Sequence, residues 1–400
     1  FDSVLGNSQK LDGKATWTFK APKAGTYHLW VREFTKSWAN PTVWTLNDAE
    51  AVTTPRTLGG EEVVNLGGGR GVGWTKYAEV ELNKGENTLT FRPAKGRTLG
   101  TRSGKTDPNS VIFAIDAICF TTAEKHPAAM KLEPTPRTSP DEQKAAYERV
   151  KKMMPKALTW NILTSGFYGR YWEAKKLPMR YYEQFAKWTD IVSFDHYPVT
   201  GWNKPGRLPE VGLATAKLVE ITPKDTPVWT IVEASDQDLS WTPKETRGPT
   251  AEEFRAEVWM SIASGAKGIG YFTIAFNPFR WKNLTPEVEK EMKRTNAELT
   301  ALTEPIVLGD TDRKLTVSGD ETEDPEAAGG AIQAICKEHD GKVYVIAVNV
   351  TRKAVTPTFK VGGKVAGRAE LWKQNRTVKV SDGSFTDKFE PLGVHVYVME

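Results

Sequence analysis

The residues of this chain best placed for chemistry are Glu233, Tyr197, Asp195 and His196. Glu233 ends the apolar run Val228-Trp-Thr-Ile-Val-Glu233, where a buried strand meets a loop. Asp195, His196 and Tyr197 close a similar run, Ile191-Val-Ser-Phe-Asp-His-Tyr197, with a proline directly after it. Successive side chains of a strand alternate between faces, so Ser193, Asp195 and Tyr197 share one face and Val192, Phe194 and His196 the other. By the same rule Trp229, Ile231 and Glu233 fall together. If the two strands are neighbours, the Tyr197 phenol reaches Glu233. A phenol donating to a carboxylate holds it ionised and oriented, which a nucleophile needs. The plainer alternative is that Glu233 caps the next helix or pairs with a cation such as Arg255.

Four short apolar runs frame these residues: 157–163, 191–197, 228–233 and 268–274. Each is followed by a stretch of helical spacing. Strands and helices in alternation, with polar residues at the strand ends, predict a parallel α/β array. In such arrays chemistry gathers at the carboxyl ends of the strands. Upstream, Ser139-Pro-Asp-Glu predicts a helix start, with Ser as N-cap, Pro in the first turn and acids near the positive end of the dipole. Prolines 127, 134, 136 and 140 make 123–140 a linker.

Both flanks read as antiparallel β. In 1–122, Ala15–Lys20 and Tyr27–Arg32 alternate about a Pro/Gly turn, and Tyr77–Leu82 with Asn87–Arg92 repeat the pattern. Short strands without helical period predict a two-sheet sandwich. From Lys314 the period returns to two, and Asp340-Gly and Asp382-Gly mark hairpins, so 309–400 is a second sandwich, to which no chemistry is assigned. Gly67-Gly-Gly-Arg-Gly-Val-Gly73 has no helix after it and reads as a turn rather than a phosphate cradle.

Composition narrows the function classes. The formal charge of +4 is small and dispersed, which argues against nucleic acid, and no apolar run is long enough to span a membrane. No zinc spacing, Walker loop or dinucleotide fingerprint is present. Cys119 and Cys336, in separate strand-like runs, read as buried free thiols. Phe1 in first position, without Met or a leader, fits a mature or processed product. The 14 Trp and 11 Tyr supply aromatic faces of the kind that stack on sugar rings, Trp38, Trp44 and Trp74 among them, although each is as well suited to a core.

Two resemblances sharpen this reading. The strand Ala24-Gly-Thr-Tyr-His-Leu-Trp-Val-Arg32, the Gly85-Glu-Asn-Thr-Leu segment and the last strand with Asp116 are similar to a carbohydrate-binding-module jelly roll. That likeness implies glycan binding and a structural calcium at Asp116. Residues 141–308 resemble strands five to eight of the (β/α)8 barrel of the retaining glycosidases. The resemblance implies Glu233 as nucleophile, Tyr197 as its hydrogen-bond partner, Asp195 and His196 as substrate contacts, and Trp160, Trp202, Trp241, Phe272 and Phe276 as candidate subsite aromatics. It implies no catalytic cofactor.

The second carboxyl of that mechanism normally follows an Asn at the end of strand four, and no Asn-Glu dipeptide precedes Glu233. Glu173 and Asp195 are possible substitutes. The chain is therefore expected to hold half a barrel, completed by a second polypeptide carrying strands one to four or by another copy of itself. The expected protein is a secreted or periplasmic glycosidase acting with retention on a polysaccharide or oligosaccharide. Its rival is a non-catalytic glycan-binding protein with a remnant barrel.

Overall fold

A computed structural model of the chain describes residues 13–34, 39–55, 61–67, 70–94, 113–125, 136, 138–168, 177–236, 246–276, 278–327, 329–365 and 367–400. It divides into two compact units, residues 1–135 with 172–177 and the remainder.

In the first unit, β1 (Ala15–Ala21), β2 (Gly25–Phe34), β3 (Thr42–Leu46), β4 (Val52–Thr54), β5 (Glu61–Gly67), β6 (Arg70–Leu82), β7 (Gly85–Pro93) and β8 (Ile115–Thr121) form two antiparallel sheets. Their orders are β1-β7-β3-β4 and β5-β6-β2-β8. Alternation buries Leu29, Val31, Trp44, Leu89 and Phe91 in one core. Trp44 and Trp74 are buried and so belong to the core rather than to a sugar platform. In the glycine-rich segment Gly67, the last residue of β5, pairs with Arg70, the first of β6.

The second unit opens with α1 (Pro140–Met153), whose start carries the anticipated Ser139–Glu142 capping box. There follow β9 (Trp160–Thr164), α2 (Met179–Lys187), β10 (Ile191–Asp195), α3 (Glu210–Ile221), β11 (Val228–Glu233), α4 (Ala251–Ala263) and β12 (Gly268–Phe272). The four strands pair in parallel in the order β12-β11-β10-β9, and each run of the sequence is one strand of the sheet. A small hairpin, β13 (Ala275–Phe276) and β14 (Phe279–Arg280), precedes α5 (Pro286–Ala301) and α6 (Thr303–Leu308).

The two faces of this sheet differ. Toward the helices, Val192, Phe194, Thr230 and Val232 are fully enclosed. On the other face Trp160 and Ile162 are 48% and 51% exposed. The Trp160 indole donates to Ser193 Oγ at 2.8 Å and lies 5.6 Å from the Trp229 ring. Gly268 is what lets Trp229 lie across the start of β12, since a Cβ there would fall 2.5 Å from the indole.

Beyond α6, β15 (Leu315–Ser318), β16 (Ile332–His339), β17 (Lys342–Asn349), β18 (Thr358–Val361), β19 (Arg368–Leu371), β20 (Arg376–Lys379), β21 (Ser384–Thr386) and β22 (Val394–Met399) build the second sandwich. Asp340-Gly341 and Asp382-Gly383 both have positive φ, as two-residue hairpin turns require. Inside it Phe359, Phe385, Phe389 and Tyr397 pack together. The outer face of the sheet β16-β17-β22-β19-β20 meets α4: Ile346, Val348 and Val396 share a core with Trp259, Met260 and Ile262. Helix α4 is covered on both sides, which explains why residues Ala256 to Ala263 are all buried.

Candidate active site

The carboxyl ends of β10, β11 and β12 bring Asp195, Tyr197, Glu233 and Phe272 together. Directly after β10 the chain turns back on itself, with Gly201 N–H donating to Tyr197 C=O at 3.1 Å. Only glycine permits this closure, because a Cβ at 201 would lie 2.7 Å from Tyr197 Cβ. The turn aims two consecutive amides at one acid. Val199 N–H donates to Glu233 Oε1 at 2.7 Å and Thr200 N–H to Oε2 at 2.5 Å. The Thr200 hydroxyl donates to Ser235 C=O at 2.9 Å and ties the turn to the segment after β11. Such an amide pair is a small anion-binding nest.

This corrects the expected partnership of Tyr197 with Glu233. Both Glu233 oxygens are taken by the amides, and the Tyr197 hydroxyl lies near the Asp195 carboxyl, feeling the charges of Asp195 and Glu233 alike. Strand parity fixes where a Cα–Cβ bond points, but the longer Glu side chain settles on the amides offered by the turn above it. Glu233 has no exposed surface at all, and its neighbour on the helix side is the equally buried Glu257 of α4. Nor is Arg255 its cation, since that guanidinium binds Glu298 of α5 at 2.6 Å.

The electrostatics follow from this enclosure. Burial pushes Glu233 up to about 7, while Glu257 and the amides of Val199 and Thr200 pull the other way. Burial likewise raises the Asp195 carboxyl, with the Tyr197 hydroxyl opposing. The Tyr197 phenol is driven well above its ordinary value by burial and then by the charges of Asp195 and Glu233, so it remains a donor. Burial alone would raise Glu253, but Arg247 and Arg352 grip it and bring it down to about 2.

Other expected site residues lie elsewhere. His196 points to the helix layer, as its parity implied, and is buried with Nε2 3.1 Å from Glu210 Oε2. Arg207 holds the other Glu210 oxygen at 2.7 Å. A histidine so enclosed is a packing residue, not a substrate contact. Trp202 stands edge-on to it at 4.4 Å and shares that location. Trp160 opens β9, and its register partner is Ile191, four residues before Asp195. It therefore sits about 13 Å below the strand ends, away from the acids. Phe276 does belong near them: Tyr197 packs on Phe272 at 4.8 Å, and Phe272 lies 6.2 Å from the 40%-exposed Phe276. Trp241, Glu173 and the side chain of Asp116 fall outside the described residues.

Glu257, the amides of Val199 and Thr200, and the Arg247–Glu253 pair were missed. The amides carry no side-chain signal. Glu257 did leave one, as the lone charged residue in the stretch Ala256 to Ala263, which has Ser261 as its one other polar member and where a free charge would not be tolerated. Among the described residues the one trio suited to a metal is Glu304, His339 and Asp340, far along the chain from these acids.

Comparison with known proteins adds one family. The model Glyco_hydro_42, described as beta-galactosidase, matches residues 140–305. Solved structures that resemble the chain include the beta-galactosidase from Bacillus circulans sp. alkalophilus, at 10% identity over 65% of this chain and 66% of that one, TM-score 0.44. An alpha-amylase of Anoxybacillus aligns at 12% identity over 65% and 63%, TM-score 0.36. A family 35 carbohydrate binding module from an environmental isolate aligns at 16% identity over 31% of this chain and 75% of that one, TM-score 0.19. The chain thus spans less than two thirds of the two enzymes' lengths. No curated protein matches. Residues 140–305, which carry the parallel sheet and its acids, are thus the part of the chain similar to that glycoside hydrolase family.

Proposed function

We propose that this chain is a glycosidase that cleaves a polysaccharide or oligosaccharide by double displacement, with Glu233 as the nucleophile. The observation that carries this reading is the family match over the sheet whose strand ends gather Asp195, Tyr197 and Glu233. In the reaction, a Glu233 oxygen attacks the anomeric carbon while a second carboxyl protonates the leaving oxygen. Water then releases the sugar, with that second group acting as base. The amide pair that now holds Glu233 favours its charged form, which attack requires. One oxygen must leave its amide and become accessible, so the proposal includes an adjustment of the 198–202 turn when substrate or further strands are in place.

The second carboxyl is expected on strands that complete the barrel. A second polypeptide is the preferred source and another copy of this chain the alternative. The half-exposed Trp160 and Ile162 support a partner on that face of the sheet. Glycan binding by the first unit, a structural calcium at Asp116 and a secreted or periplasmic location belong to the same proposal. The family's description makes aryl β-galactosides the first substrates to try.

One observation favours a second reading. Glu233 is completely enclosed, with both oxygens engaged, as befits a non-catalytic glycan-binding protein with a remnant barrel. Hydrolysis of a panel of aryl glycosides and polysaccharides, beside calorimetric binding, separates the two. Hydrolysis that drops by roughly three orders of magnitude or more in Glu233→Gln supports the enzyme. Binding without turnover supports the rival.

A further inference from the structure

Val232 of β11 and Val258 of α4 pack in one core, and the acids beside them, Glu233 and Glu257, are close enough to act on each other's ionisation. Glu233 ends β11, Glu257 projects from the second turn of α4, and neither has any exposed surface. A pair of like charges in a dry interior repels strongly, so such a pair holds a proton between its members. The surrounding donors decide which member keeps it. Glu233 accepts two backbone N–H bonds, and both favour the carboxylate. Neither oxygen of Glu257 makes a well-formed hydrogen bond. A carboxylate left so would cost several kcal/mol, whereas a carboxylic acid can turn its O–H toward Glu233.

We propose that Glu257 is a positioning residue, a buried carboxylic acid that keeps its proton at neutral pH and donates it as a hydrogen bond to Glu233. The surroundings agree. Burial and then the charge of Glu233 push Glu257 well above the usual carboxylate range, and Glu253, one turn earlier on the same helix, adds to this. Tyr197, beyond β10, is the other titratable group that feels Glu257, and it stays neutral. The nearby cations are turned elsewhere. Arg247 and Arg352, the latter from the second sandwich, hold Glu253. Arg255 of α4 binds Glu291 and Glu298 of α5. Arg207 and His196 are spent on Glu210 of α3. Glu257 is thus left with carboxyl neighbours and no compensating cation.

The consequence for stability has a definite sign. A carboxyl raised in the folded state lends stability that is fully present below the unfolded value, about 4.3, and is lost as pH climbs toward the folded one. Glu257→Gln keeps the shape and a hydrogen-bond donor but removes the titration. Melting temperatures of the full chain, wild type and Glu257→Gln, measured from pH 4.5 to 8.5, test this. The variant should gain on the wild type steadily as pH rises. A gap that is constant or shrinks with pH overturns the proposal.

If the variant does not fold, the native chain still answers. Unfolding it at pH 8 should release about one proton or more, because the unfolded Glu257 ionises there. Release of none overturns the proposal. The effect on turnover rests on Glu233 being the nucleophile, but the titration does not. Glu257→Leu, which cannot donate, should lower kcat/KM about tenfold and move the acid limb of the pH profile upward, with rescue by Gln. An inactive wild type would remove the glycosidase reading while leaving the melting result to judge Glu257.

Discussion

The parallel sheet has two faces built from the same strands by the same alternation, and they are in different physical states. The helix-side face, Val192, Phe194, Thr230 and Val232, is wholly enclosed, and even its polar member is satisfied, Thr230 meeting the Thr215 hydroxyl of α3 at 3.0 Å. On the opposite face Trp160 and Ile162 of the edge strand β9 stand half in solvent, although their residue types are as apolar, whereas Ser193 and Ile231 of the inner strands are buried. Composition therefore does not decide burial here; the presence of a covering layer does. At the top of the sheet the contrast changes character, because a turn reaches over β11 and closes Glu233 from above. The acids lie in the enclosed part of the molecule and the large aromatic Trp160 in the open part.

Breaking the enclosed face should have the largest effect. Phe194 lies 5.5 Å edge-on to Phe167 with no exposure, so Phe194→Ala should destabilise the second unit by about 3–5 kcal/mol in chemical denaturation. A loss below about 1 kcal/mol would mean that this face is no better packed than the open one. Tyr197→Phe comes next, because it removes a buried hydroxyl from Asp195 and leaves that carboxyl with less support. We expect a loss of about 1–1.5 kcal/mol and an Asp195 carboxyl raised further, read by carbon NMR titration. An unmoved Asp195 resonance would show that the two groups do not meet.

The smallest effect belongs to the open face. In the single chain, Ile162→Ala should cost under about 1 kcal/mol, since half of that side chain is already in water. The same substitution sharpens the comparison when a completing partner or second copy is added. Then it should weaken association, read by sedimentation, whereas Phe194→Ala should act on folding alone. An equal cost for Ile162→Ala in the single chain and in the assembly would leave the open face uncovered in both.

How much of this was legible in the sequence varies with the distance over which a residue acts. The four strands and the start of α1 follow from short-range patterns: apolar runs and Ser139-Pro140. The helix-side orientation of His196 was implied by parity and is what removes it from the site. The partner of Glu233 was not legible, because it consists of backbone amides whose direction depends on a five-residue turn closing at Gly201. Nor was the inward face of α5 fully legible. Ala297 is exposed despite its apolar type, while Thr295 and Glu298 are buried because Arg255 of α4 draws them in. Long-range ion pairs leave no periodic trace.

Helix α4 carries a consequence for how the second unit comes apart. It lies between the parallel sheet and the second sandwich, contributing Phe254 and Val258 to one core and Trp259 and Met260 to the other. Arg352 and Gln333 of the sandwich are anchored in turn to Glu253 of α4 and to the Pro209 carbonyl. Neither layer can melt without exposing one side of this helix, so the two are thermodynamically coupled and should unfold in one cooperative transition. A domain border drawn at residue 308 is thus a border in topology only, and removing the sandwich would unmake the sheet that holds the acids.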